Sequence, residues 1–253
     1  MQRRNYDEEK SACKRTLLIV LCIAILYPSV FYFLVYQLKL DDPTTRYLLT
    51  ILSGIFLGSL ALWALRRDNI SLAEIGINLK RFGEAVLLII VVSAIIGLLH
   101  YTLDREGWLS RIASPLLIMQ QWIFVGIGEE LLFRGYLYNR LVKSFKKMSK
   151  VKAQIAALAI SSLIFSAFHI PVRLFNEIPI SQVLISLGLL FAAGIYFGLV
   201  YIRTKNILFT GLAHGSWNIP IFGVPADLIQ IFIVLLVVEI RNTIYRFFAN
   251  THP

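Results

Sequence analysis

The sequence predicts an all-α membrane protein, a bundle of about eight transmembrane helices with both termini on the cytoplasmic side. Three observations carry that prediction. Of 253 residues, 57% are hydrophobic and only 16% charged, and mean hydropathy is +0.71. A water-soluble globule has too little interior to hide that much apolar surface. The apolar residues also come in runs of bilayer-spanning length, for which about 20 residues are needed. The basic residues then sort to one side of those runs, as cytoplasmic loops do.

The first run, residues Thr16–Leu38, follows Arg3, Arg4, Lys10, Lys14 and Arg15. It is too long for a signal-peptide core and no small-residue cleavage site closes it, so it reads as a retained span behind a cytoplasmic tail, 1–15. Tyr47–Leu65, Ala85–Leu103, Leu116–Leu137, Ala153–Ile170 and Gln182–Ile202 follow. Ile207–Gly223 and Pro225–Ile240 are shorter and meet at a Pro- and Gly-rich turn (Pro220, Gly223, Pro225). No soluble domain fits between the runs, so residues 1–253 read as one membrane domain. Eight spans place nineteen Lys and Arg on the side of the termini and five on the other (Lys39, Arg46, Arg105, Arg111, Arg173). Seven would move the C-terminal pair Arg241 and Arg246 to the wrong side. The basic, semi-apolar stretch Leu141–Val151 reads either as an ordinary positive loop or as a segment lying along the cytoplasmic interface. The net charge of +10 is thereby accounted for without nucleic acid as a partner. Cys13 and Cys22, nine positions apart on one helix, cannot reach each other for a disulfide.

The fourth run contains Glu129, Glu130 and Arg134 among Trp, Ile, Phe, Leu and Gly. Charges at membrane depth cost roughly 2.5–3.5 kcal/mol or more unless paired or wet. Glu130 and Arg134 are four apart and share a helix face. Glu129 points about 100° away and needs a partner from another span. The candidates are His169, near the end of the fifth run with Phe165 one turn before it, and His214, with Asn218 one turn after it in the seventh. His100 and His252 lie at a span end and in the tail. At about 1.5 Å per residue, Glu129 lies about 16 Å from Arg140 and His214 about 13 Å from Lys205. His169 lies about 25 Å from Lys152, so helix tilt must level the three.

Glu129-Glu130-x-x-x-Arg134, Phe165-x-x-x-His169 and His214-x-x-x-Asn218, in that order on successive hydrophobic helices, resemble the CAAX protease and bacteriocin-processing (CPBP) family of intramembrane proteases. The likeness covers roughly residues 116–218, including Gly194-x-x-x-Gly198 and Asn206 before the third motif. The resemblance implies an endopeptidase cleaving a peptide at the membrane, a CAAX-type prenylated tail or a bacteriocin-like peptide. It makes Glu129 the base that activates water, with His169 holding that water. His214 and Asn218 become donors to the oxyanion and Arg134 the residue that orients the carboxylates. Glu130 is placed to share a proton with Glu129, and Phe165 to pack.

Hydrolysis needs such a base, oxyanion donors and an acid for the leaving amine. A Glu/His/His set also matches zinc ligation, though His-Glu-x-x-His is absent; the resemblance implies a glutamate-dependent enzyme without metal, so no cofactor is expected and zinc is the alternative. Gly-x-Ser-x-Gly and Gly-x-Gly-Asp are also absent. The expected partners are the lipid bilayer of the cell membrane and a peptide or protein substrate. Two other readings compete: a non-catalytic immunity or scaffold protein of the same fold, and a proton-coupled transporter. The lack of an internal repeat counts against the transporter.

Overall fold

The structure, a computed structural model, describes residues 2–40, 42–103, 105, 113–221 and 228–251; among them every regular element is a helix. In chain order these are α1 (Gln2–Gln37), α2 (Pro43–Arg67), α3 (Leu79–Leu103) and α4 (Pro115–Ser144). After them come α5 (Lys150–Phe168), α6 (Ile170–Phe175), α7 (Ile180–Thr204), α8 (Ile207–Asn218) and α9 (Leu228–Thr251). Among the described residues seven segments are long and apolar enough to cross a bilayer. The chain is a multi-pass helical membrane protein. The expected tail forms the first turns of α1 over the residues described.

The eighth expected span is the short one. α8 has twelve residues, about 18 Å at the α-helical rise, so it reaches only partway across. Asn206 starts it by accepting the Phe209 N–H at 3.1 Å through its side-chain oxygen, which satisfies one of the orphan donors of a helix start. It ends two residues before Pro220, a residue that cannot continue a helix. Residues 219–221 are irregular, and the Ile219 and Ile221 carbonyls find protein partners, as they must at membrane depth. The Trp122 indole N–H donates to the Ile219 carbonyl at 2.8 Å, and the Ala113 N–H donates to that of Ile221, also at 2.8 Å. The expected turn at Gly223 and Pro225 lies outside the described residues.

α4 is continuous but not uniform. Residues Gln120–Ile127 and Leu131–Tyr138 run in wide π-type turns on either side of Gly128–Glu130. Such turns are rare and recur at functional sites. Gly126 lets α4 lie against α8 backbone to backbone, because a Cβ there would collide with the Gly211 carbonyl and the Gly215 nitrogen. Two apolar cores flank this contact. Leu57, Ala61, Leu132, Phe133 and Phe165 belong to one, and Val92, Trp122, Phe197, Phe209 and Val234 to the other.

One end of the bundle gathers the basic loops and ties them down. Arg140 pairs with Asp68 at 2.9 Å, Lys143 with Glu74 at 3.1 Å and Arg241 with Glu84 at 2.6 Å. Ser71 and Lys143 hold the Glu74 carboxyl below its usual range through a backbone N–H and an ammonium. Lys39, Arg46 and the turn from α1 to α2 lie at the opposite end.

Candidate active site

α4, α5 and α8 bring the three sequence motifs to one place. Arg134, fully buried, donates to Glu130 Oε1 at 2.7 Å and to the Gly194 carbonyl of α7 at 2.7 Å. Its guanidinium carbon lies 4.8 Å from the Phe165 ring centre and 5.9 Å from that of Phe197. A charge of this kind is tolerable at depth only when paired, hydrogen-bonded and stacked in this way. The expected i,i+4 pair is therefore present, with a backbone carbonyl as its third member.

Glu130 Oε1 also accepts from His214 Nδ1 at 3.0 Å. The ring of His214 is stacked on Phe197, with centroids 4.5 Å apart and planes 19° from parallel. Carboxylate and aromatic ring together fix the imidazole, so that Nε2 faces Glu129, 3.9 Å from its Oε2. His169 is fixed by another route. Its Nδ1 donates to the Phe165 carbonyl at 2.8 Å, and its Nε2 lies 4.0 Å from the same Glu129 oxygen. α5 ends at this residue, and the two separations put Glu129, His169 and His214 at one depth. The mismatch expected from counting residues is absorbed.

Glu129 Oε2 is buried and has no hydrogen-bond partner. Two imidazole nitrogens about 4 Å away are too far for direct hydrogen bonds. A single water about 2.8 Å from the oxygen and a nitrogen would subtend about 90° between them. Ligands of one tetrahedral zinc at about 2.0–2.1 Å are about 3.3 Å apart, closer than either separation here. Among the described residues no group of three or more His, Cys, Asp or Glu has a metal-holding arrangement.

Asn218 lies at the exposed end of α8. Its amide donates to Gln121 Oε1 at 3.1 Å, and Gln121 lines the same cavity as Glu129, one face of α4 carrying Gln121, Val125 and Glu129. Gln121 Nε2 donates to Gln120 Oε1 at 3.3 Å, and the buried Gln120 donates to the Tyr47 carbonyl at 3.0 Å. The amide chain thus ties Asn218 to α4 and α2. The cavity holds about 270 Å³, and Tyr32, Thr50 and Ser53 contribute to its wall along with His169. Phe165, 1% exposed, is packing as expected, under both imidazoles and the guanidinium.

Sequence reasoning missed Gln121, Tyr32, Thr50, Ser53, Phe197 and the Gly194 carbonyl. Gln121 carried a signal, a polar residue two turns before Glu129. Phe197 follows Gly194 by three residues, where only its spacing from that glycine stood out.

A buried carboxylate oxygen without a hydrogen-bond partner faces two oriented imidazoles inside a helical membrane bundle. Residues 111–220 match the family described as Rce1-like: type II CAAX prenyl endopeptidase Rce1-like. That match supports membership of the CPBP family of CAAX-type proteases over those residues. No curated protein and no solved structure matches the chain.

Proposed function

We propose that the chain is a glutamate-dependent intramembrane endopeptidase that cleaves peptides at the membrane without a metal. The observation that carries this reading is the partnerless Oε2 of Glu129, with His169 Nε2 and His214 Nε2 at 4.0 and 3.9 Å. Water held there gives a proton to Glu129 as its oxygen attacks the peptide carbonyl carbon. The carbonyl oxygen takes up negative charge, which the Asn218 amide stabilises as a donor, with His214 Nε2 a second donor when both ring nitrogens carry protons. Glu129 then passes its proton to the leaving nitrogen as the C–N bond breaks. Glu130 does not meet the substrate. Fixed by Arg134, it accepts a hydrogen bond from His214 Nδ1 and holds that ring.

The proposed topology places both termini in the cytoplasm, since the basic loops collect at one end. The test is cleavage of a panel of fluorogenic peptides, prenylated and unprenylated, by purified protein, with Glu129→Ala and a chelator in parallel. Activity lost in Glu129→Ala and kept in chelator supports the reading. Chelator-sensitive activity restored by zinc replaces it with a metalloprotease. Binding of these peptides without cleavage replaces it with a non-catalytic binding protein.

A further inference from the structure

The cavity at Glu129 does not stop at the catalytic residues. Phe31, Tyr32, Thr50 and Val172 line both it and a second, larger space of about 700 Å³. This groove runs between the last turns of α1, the first turns of α2 and the end of α6. Its apolar wall is made of Phe31, Val35, Leu49 and Phe175. Lys39 and Arg46 stand at its mouth. Neither forms an ion pair with a described residue. The nearby Asp42 is committed to α2, its carboxylate accepting the Thr45 N–H at 2.9 Å. The lining residues lie in the ends of α1, α2 and α6 furthest from the basic end of the bundle, or in the turns that follow α1 and α6.

We propose that the peptide substrate reaches Glu129 through this groove, from the end of the molecule opposite the basic loops. Its apolar side chains lie against the aromatic wall, and a carboxylate lies against Lys39 and Arg46. The inference rests on the peptidase reading and deepens it. The positive-inside rule puts the basic end in the cytoplasm, so the mouth faces the outer side. The substrate class is then an apolar peptide with an acidic group presented on the outer face of the membrane, rather than a cytoplasmic tail. The carboxylate belongs either to a side chain or to the free C-terminus. Both offer the same charge-assisted hydrogen bonds to a guanidinium and an ammonium.

The groove is tested in a Cys13→Ser, Cys22→Ser protein carrying either Tyr36→Cys, in the groove wall, or Lys147→Cys, in the basic loop. A membrane-impermeant maleimide added to intact cells labels Tyr36→Cys, and Lys147→Cys only after permeabilisation. The reverse pattern overturns access from the outer face. Three fluorogenic apolar peptides then probe the mouth: one with a free C-terminal carboxylate, its C-terminal amide, and the amide with a penultimate Asp. At least one anionic form protects Tyr36→Cys from labelling while the neutral amide does not, and comparison of the two anionic forms shows which carboxylate is read. Arg46→Gln raises KM about tenfold for that form and leaves KM for the neutral amide unchanged. Equal protection by all three, or an unchanged KM, overturns the carboxylate assignment. Protection without cleavage of any peptide contradicts the hydrolase reading while supporting the groove, so the two failures are separable.

Discussion

Glu129 and Glu84 are buried to the same degree, each side chain about 10% exposed, yet their oxygens are treated differently. Glu84, in the first turns of α3, has both oxygens filled. Oε1 accepts from Arg241 Nε and a terminal Arg241 nitrogen, both at 2.6 Å, and Oε2 from Arg81 at 2.7 Å and the Asn206 amide at 3.4 Å. That cluster ties α3, α8 and α9 together and leaves Glu84 no capacity for chemistry. Glu129 keeps Oε2 without a partner, facing two imidazole nitrogens, while Glu130, its Oε2 also open, is bound through Oε1 by Arg134 and His214. A buried polar atom left open costs stability. On the proposed reading, the difference between a structural carboxylate and a reactive one lies in what the open oxygen faces, two imidazole nitrogens for Glu129, not in burial.

The largest expected effect of breaking this contrast falls on catalysis. Glu129→Gln keeps the shape and removes the base, and peptide cleavage should fall by about 10²–10⁴-fold with thermal unfolding in detergent little changed. Arg134→Leu does the opposite. Removing one partner of a buried ion pair costs about 3–5 kcal/mol, because it strands Glu130 and the Gly194 carbonyl, and the folded yield should drop steeply. Glu84→Gln leaves two arginines short of charge at a slightly wetter place. It should cost about 2 kcal/mol in denaturant or thermal unfolding, with the activity per folded molecule kept.

Gln121→Met sharpens the contrast inside the cavity. If Gln121 orients the Asn218 amide, kcat should fall about tenfold with KM unchanged, and the change should add nothing in an Asn218→Ala background. Additive losses would separate the two amides. The smallest effect belongs to Lys143→Ala, which releases an exposed pair with Glu74 and should cost a few tenths of a kcal/mol. Because the Glu74 carboxyl is held below its usual range, that contribution is present above the unfolded carboxylate pKa. It disappears as pH falls through the folded value, so a stability comparison at neutral and strongly acid pH checks it.

Much of this was legible in the sequence because charge in an apolar run is conspicuous. The Glu130–Arg134 pair followed from four-residue spacing, and Glu129's need for a partner on another helix from the turn angle between neighbours. His169 and His214 were the histidines left at depth. What was not legible had no local signature. The wide turns of α4 follow no proline, and α8's halt at Asn218 showed only as Pro220 two residues on. Gly194 gives Arg134 a carbonyl that every residue type possesses. Tyr32, Thr50 and the aromatic wall of α1 lie in helices whose apolar faces read alike whether they meet lipid or a cavity. The role of Asn218 also needed tertiary information, since its hydrogen-bond partner Gln121 is 97 positions away in sequence.

The most direct test of the central claim is one assay on two variants. Glu129→Gln and Glu84→Gln are expressed in the same membranes, and peptide cleavage is normalised to folded protein measured by thermal unfolding. The partner-based account predicts a folded, inactive Glu129→Gln beside a destabilised Glu84→Gln whose surviving molecules cleave at the normal rate. Substantial cleavage by folded Glu129→Gln would contradict it.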